Sequence, residues 1–255
     1  MADFSSSASP AQGPLVSWSR WLGWFAPGPC PSCAAPGRAP LCAACRTGSG
    51  IIDGSLPAVA VLENDVRLLY LGFYWRPSAS NARRREPTPL AQALHRFKFG
   101  GDRYAGHCLA RLFAEALSNS AAAPGRAGAK RYDAVVPIPL SRAGLAARRF
   151  NQSAWLARPL ARRARIPYRP GWLQRHGDSE AQHGLRAAAR RTNMHHAFRA
   201  GLLPQRPGLV LLVDDVCTTG STLAAAARVL CDGGAVAVGA AVLILAEANP
   251  MGDRR

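Results

Sequence analysis

Residues 209–213 are five apolar side chains without a polar interruption, the pattern of a strand buried on both faces of a parallel sheet. Asp214 and Asp215 follow directly, at the C-terminal strand end where open α/β sheets present ligands. Small hydroxyl residues then surround Gly220. Residues 223–230 read as an Ala-rich helix stopped by Cys231-Asp232-Gly233-Gly234. Upstream, residues 58–62 and 68–75 have strand character, and residues 76–89 form a polar insertion expected as an exposed loop. Leu90, Leu94 and Phe97 recur at helical spacing within residues 89–99. A turn at Gly100-Gly101-Asp102 leads into an amphipathic helix over 104–117, then a flexible linker to residue 130. Residues 133–140 are a strand running into a Pro-bounded loop, and 150–164 a helix kinked at Pro159. Ser179-Glu180-Ala181-Gln182 is a capping box. It opens a helix that puts Gln182, Arg186 and Arg190 on one face. Strands alternating with helices predict an α/β fold around a central parallel sheet.

The chemistry of residues 214–222 follows from their order. Backbone N–H groups opening a helix lack intrahelical partners, and with the helix dipole they suit a phosphate monoester. Gly220 allows close backbone approach, and Thr218, Thr219, Ser221 and Thr222 add hydroxyl donors. Asp214 and Asp215 are acceptors for a vicinal diol and tolerate a divalent cation nearby. Phosphate plus diol means a ribose 5-phosphate. A Walker-type ATPase site would need G-x-x-x-x-G-K-[ST], and neither Lys98 nor Lys130 follows such a loop. The blander alternative is an acidic, Thr-rich helix cap.

Pro137, Ile138, Pro139 and Arg142, with Arg148 and Arg149 further on, make a loop at a strand end followed by arginines. That arrangement suits a pyrophosphate; a basic surface loop is the alternative. Cys30-Pro31-Ser32-Cys33 and Cys42-Ala43-Ala44-Cys45 are two C-x-x-C pairs that can close four thiolates around one zinc. Their Pro- and Gly-rich surroundings cannot build a core without such a staple. Cys108 and Cys231 are expected in the core, and Cys217 in the hydroxyl loop as a small filler.

The net charge of +17 comes from 30 Arg and only 2 Lys against 15 acids. It favours polyanions, including nucleic acid, although the Ala, Gly and Pro content points to coding bias as part of its origin. No apolar run reaches the ~18 residues of a membrane span. Residues 1–13 lack the order of a signal peptide, and residues 1–14 are expected to be disordered. A cytoplasmic protein with reduced thiols is the expectation. Trp18, Trp21 and Phe25 share a helical face suited to docking.

The order C-x-x-C twice, F-K-F-G-G-D, V-P-I-P-L, R-x-F-N-Q, Q-x-x-L, R-x-N and the acid-pair loop resembles the ComF/GntX family over nearly the whole chain. The last stretch resembles the phosphoribosyl pyrophosphate (PRPP) motif of type I phosphoribosyltransferases. The resemblance implies an N-terminal zinc ribbon over residues 27–55 and a phosphoribosyltransferase-like domain over 56–248. A disordered N-terminus with its aromatic helix (1–26) and a tail (249–255) flank them. It implies Asp214 and Asp215 on the ribose, residues 218–222 on the 5-phosphate, and a pyrophosphate loop at Pro137, Ile138, Pro139 and Arg142. Arg148 would stabilise the leaving anion, and Asn151, Gln152, Arg190 and Asn193 are further candidates. Structural Zn, Mg²⁺ accompanying PRPP, and a link to competence and DNA uptake are implied as well.

Two departures stand out. Arg149 occupies the glycine of R-G-F-N-Q, and Gly144 stands where an arginine often does. Thr218 replaces the acid that purine-salvage enzymes use on the base. Two functions follow. One is a phosphoribosyltransferase acting on a nitrogen acceptor. The other is a non-catalytic adaptor that binds a nucleotide or single-stranded DNA and recruits a DNA translocase or helicase.

Overall fold

The computed structural model describes residues 28–37, 40–51, 58–62, 65–78, 80–81, 84–119, 132–175, 197–204 and 207–246. The capping-box helix with Arg190 and Asn193, the aromatic stripe, the 120–130 linker and the tail all lie outside the described residues.

The elements are β1 (Ala58–Val61), β2 (Arg67–Phe73), β3 (Trp75–Pro77), β4 (Arg85–Pro87), β5 (Ala134–Pro137), β6 (Leu173–Arg175), β7 (Phe198–Ala200), β8 (Leu209–Cys217) and β9 (Ala237–Leu245). The helices are α1 (Ala43–Thr47), α2 (Pro89–Gly100), α3 (Arg103–Asn119), α4 (Arg142–Arg148), α5 (Gln152–Ala164) and α6 (Ser221–Asp232). The main sheet has the order β1-β2-β9-β8-β5. β2, β9, β8 and β5 are parallel to their neighbours, and β1 is an antiparallel edge.

Alternation along the strands divides the core into two layers. Leu69, Leu71, Val135, Leu211 and Val213 pack with Phe97, Phe113, Leu156 and Leu160, from α2, α3 and α5. Leu68, Tyr70, Val136, Val210 and Leu212 face the other way, toward Leu223 and Leu230 of α6. Helices on both faces explain why residues 210–213 are wholly buried and needed an unbroken apolar run.

Local chemistry sets the helix ends. Thr88 caps α2 by accepting from the Ala91 N–H at 3.2 Å, with Pro89 in the first turn. Gly101, at φ 63°, closes α2 in the left-handed conformation that costs glycine little. Pro159 is accommodated inside α5. The polar insertion differs from the expected loop: Trp75–Pro77 and Arg85–Pro87 pair as a small hairpin, tied by an Arg76–Glu86 ion pair at 2.7 Å. The cross-strand pairing needs only three residues per strand, too short a pattern to read from sequence.

Phe97 locks α2 to the rest of its layer. It is fully buried, 4.8 Å from the Phe150 ring and 5.5 Å from Trp155. Its ring lies against the backbone of α3 at Gly106, where a Cβ would collide with it. Phe97→Ala is expected to cost about 3–5 kcal/mol, measured as the change in unfolding free energy by denaturant titration.

Candidate functional site

The carboxyl ends of β5 and β8 lie side by side. Pro137 is in register with Val213, and the Ile138 N–H donates to the Val213 carbonyl at 2.9 Å. The structure therefore brings the loop of Pro137, Ile138 and Pro139 to the edge from which Asp214 and Asp215 project. Residues 218–220 continue β8 into α6 at the same edge. Gly220 has φ 80°, and a Cβ there would meet the Leu62 side chain. The N-cap of α6 is Gly220, which has no side chain to cap with, and the first turn carries no acid. The one side-chain contact to the first-turn N–H groups among the described residues is long: the Ser221 N–H donates to Thr219 Oγ1 at 3.4 Å. Thr218 and Thr219 are exposed, and Thr219 Oγ1 lies 3.0 Å from Ser221 Oγ.

Asn151, Gln152 and Ser153 fasten this edge to α5. Asn151 caps the helix by accepting from the Ser153 and Ala154 N–H groups at 2.9 and 3.2 Å. Its Nδ2 donates to the Ile138 carbonyl at 2.9 Å, pinning the β5 loop. Ser153 Oγ then donates to Asp214 Oδ1 at 2.7 Å, and the Asp215 N–H donates to the same oxygen at 2.8 Å. Gln152 is buried and its Nε2 has no hydrogen-bond partner among the described residues. Its Oε1 is 3.5 Å from Arg148.

The arginine segment is not an open loop. Residues 142–148 form α4, capped by Ser141 accepting from the Gly144 N–H at 3.0 Å. The helix is only seven residues long, too short for its periodicity to separate it from a loop in the sequence. Arg142 is exposed, and Arg148 lies over the Phe99 ring at 5.3 Å. Arg149 adopts φ 61°, a left-handed conformation that suits glycine and costs a branched-Cβ-free residue roughly 1–2 kcal/mol.

The residue that the motif reading missed is Lys98, on the last turn of α2. Its Nζ lies 2.6 Å from Asp215 Oδ2, with the two side chains only 15% and 11% exposed. The available signal was compositional: among 32 basic residues it is one of two lysines. Asp215 is thus neutralised within the protein. Burial, reinforced by the neighbouring Asp215 carboxylate, pushes Asp214 up to about 7, against the pull of Ser153, the Asp215 N–H and Lys98. A hard divalent cation gathers six or more oxygens, roughly. With one oxygen of Asp215 on an ammonium and one of Asp214 accepting two hydrogen bonds, the pair does not fit Mg²⁺ held without a substrate phosphate, because the ammonium already supplies the positive charge and one oxygen of each acid is left.

The cysteines do fit zinc. The Sγ atoms of Cys30, Cys33, Cys42 and Cys45 all lie within 4.8 Å of one another, and Cys33 and Cys42 are 3.6 Å apart. Four thiolates at about 2.3 Å from a tetrahedral centre are separated by about 3.8 Å. Burial raises the Cys30 thiol, but the N–H groups of Cys42, Cys33 and Ser32 outweigh it and bring Cys30 down to about 6. The cluster sits on the helical layer: Arg96 donates to the Pro31 carbonyl at 2.7 Å and Tyr104 to the Pro29 carbonyl at 3.0 Å. Cys108 is buried as expected, and Cys217 is buried as the last residue of β8 instead of lying within the hydroxyl loop. Cys231 is exposed, because it falls on the outer face of α6.

Two outcomes follow. Metal analysis of purified protein should give about one zinc per chain, lost in Cys42→Ala; a metal-free protein with four alkylatable thiols is the contrary result. For Asp214, the folded-state affinity for a proton exceeds the unfolded value near 3.9. Its contribution to stability is therefore complete below about pH 4 and lost as pH rises through about 7. Asp214→Asn should match wild type near pH 4 and exceed it above about pH 7 in denaturant unfolding; a variant that loses ground as pH rises contradicts the assignment.

The phosphoribosyl transferase domain family matches residues 187–254, which include β8, the hydroxyl loop and α6. DNA utilization protein YhgH of Escherichia coli is 36% identical over 159 residues, 59% of this chain and 64% of that protein. Competence protein F of Haemophilus influenzae is 35% identical over 139 residues, 53% of this chain and 58% of that protein. The chain thus matches less than two thirds of the length of either relative. An orotate phosphoribosyltransferase structure from Aeropyrum pernix overlaps 75% of this chain and 76% of its own at 23% identity, with a TM-score of only 0.34. The chain is thus homologous over about half or more of its length to DNA utilization protein YhgH and Competence protein F, and its residues 187–254 match the phosphoribosyl transferase domain family.

Proposed function

We propose that the chain binds PRPP, or a ligand sharing its ribose 5-phosphate, at the carboxyl end of β8. The supporting observation is the juxtaposition at one sheet edge of the acid pair, the glycine-led start of α6 and the β5 loop. Asp214 and Asp215 would accept from the ribose hydroxyls, and residues 218–222 would hold the 5-phosphate. The β5 loop, with Pro137, Ile138, Pro139 and Arg142, would face the pyrophosphate. Mg²⁺ enters this proposal as a companion of PRPP and not as a ligand of the acid pair.

The transferase form of the proposal breaks the C1–O bond to pyrophosphate and forms a C1–N bond to a nitrogen nucleophile, which then loses a proton. Positive charge grows on the ribose ring as the anion leaves. In this proposal the acid pair, holding the ribose hydroxyls, would face that charge. Arg148 would reach the leaving anion only by exchanging its place over Phe99. The second reading holds the ligand without turnover, as an adaptor that binds a nucleotide or single-stranded DNA and recruits a DNA translocase. The names of the relatives, which speak of DNA utilization and competence, favour it, as does the +17 charge. Both readings share the domain division at residues 27–55 and 56–248 and a cytoplasmic setting. No helix among the described residues is long and apolar enough to cross a membrane.

Thermal melts with and without PRPP and Mg²⁺ test the binding, and pyrophosphate release across candidate nitrogen bases separates turnover from binding. Asp215→Asn is expected to weaken PRPP at least tenfold, about 1.4 kcal/mol. A ligand-induced shift that survives in the Asp214→Asn, Asp215→Asn double variant would overturn the ribose assignment.

A further inference from the structure

We propose that Lys98 is the resident cation of the acid pair: it occupies Asp215, excludes free divalent metal from the pair, and leaves the remaining carboxylate oxygens to a neutral diol. The proposal deepens the ribose reading above, but its metal half stands without it.

Geometry comes first. The ammonium is 2.6 Å from Asp215 Oδ2, and neither side chain is more than slightly exposed. An ion pair so desolvated is not an incidental surface contact, because each charge left alone would be held in a poor solvent. Lys98 is also launched from a fixed point. Phe97 before it is fully buried in the aromatic cluster, and Gly101 after it terminates the helix with its N–H on the Arg96 carbonyl. Arg96 itself is held by Asp102 at 2.8 Å and by the Pro31 carbonyl at 2.7 Å. The backbone carrying Lys98 is thereby tied both to the core and to the cysteine cluster.

Side-chain chemistry comes second. This chain uses arginine for 30 of its 32 basic residues, yet a lysine stands here. A guanidinium is a planar fork that tends to take both oxygens of a carboxylate. A compact ammonium satisfies one and leaves the other available. On Asp214 the Ser153 hydroxyl and the Asp215 N–H converge on the same oxygen, Oδ1. Among the described residues the partners on both acids thus leave one oxygen of each: two acceptors for two adjacent hydroxyls, and too few to hold a divalent cation without phosphate ligands to join them.

The test uses Mn²⁺ alone as the probe, titrated into full-length, zinc-loaded protein and followed by electron paramagnetic resonance. Wild type should show no Mn²⁺ site that Asp215→Asn abolishes. Lys98→Met should gain such a site, at least tenfold tighter than any in wild type, and lose it again when combined with Asp215→Asn. Lys98→Arg should gain none. An Asp215-dependent Mn²⁺ site in wild type overturns the proposal, whatever the folding of the variants; so does a folded Lys98→Met protein with no new site. Ribose 5-phosphate is titrated calorimetrically in parallel, in metal-free buffer. Heat in wild type that disappears in Asp215→Asn supports the diol half, and a strict requirement for added metal overturns it. No heat from ribose 5-phosphate or PRPP in any protein defeats the ribose reading and leaves the Mn²⁺ result to stand or fall by itself.

Discussion

Two adjacent carboxylates at the end of a buried strand must be balanced, and the Lys98–Asp215 ion pair does the balancing here. Charge in a poorly solvated place is costly unless it is paired and hydrogen-bonded. Most of the architecture near the sheet edge serves that requirement. α2 delivers the ammonium, α5 delivers the Ser153 hydroxyl, and the backbone of β8 delivers an N–H. Removing the acids is therefore not a simple relief of repulsion, as their adjacency in sequence implies. Asp215→Asn would also strand a partly buried ammonium.

The same constraint explains why the helices of one layer are tied so closely. α2 touches the acid pair through Lys98, the aromatic cluster through Phe97, and the cysteine cluster through Arg96. The cysteine cluster is accordingly not an isolated bead on the chain. Cys30, Leu41, Cys45 and Ile51 join the apolar layer shared with α2 and α3. A metal that orders those cysteines would also steady the helix that carries Lys98.

Asn151 shows how one side chain can serve structure and site together. It caps α5 and pins the β5 loop, so the R-x-F-N-Q stretch sets the distance between the loop and the acid pair. The departure at Arg149 falls within this stretch, at a left-handed position where glycine is the easier occupant.

The sequence alone determined the elements whose signal is local. The unbroken run at 209–213 reads as a strand covered on both faces, because no polar side appears in it and it is too short for a helix of its own. The spacing of the four cysteines, the hydroxyl loop and the helix 89–100 were legible for the same reason: each is a pattern within a few residues. The β3–β4 hairpin and the short helix at 142–148 were not, since short segments carry too little periodicity to choose a state. Only tertiary structure decided which charges meet. Lys98 and Asp215 are more than a hundred residues apart, and Ser153 and Asp214 are 61 apart. No local rule relates such positions; the parallel sheet does, by placing the end of β8 beneath the helices that precede it in the chain.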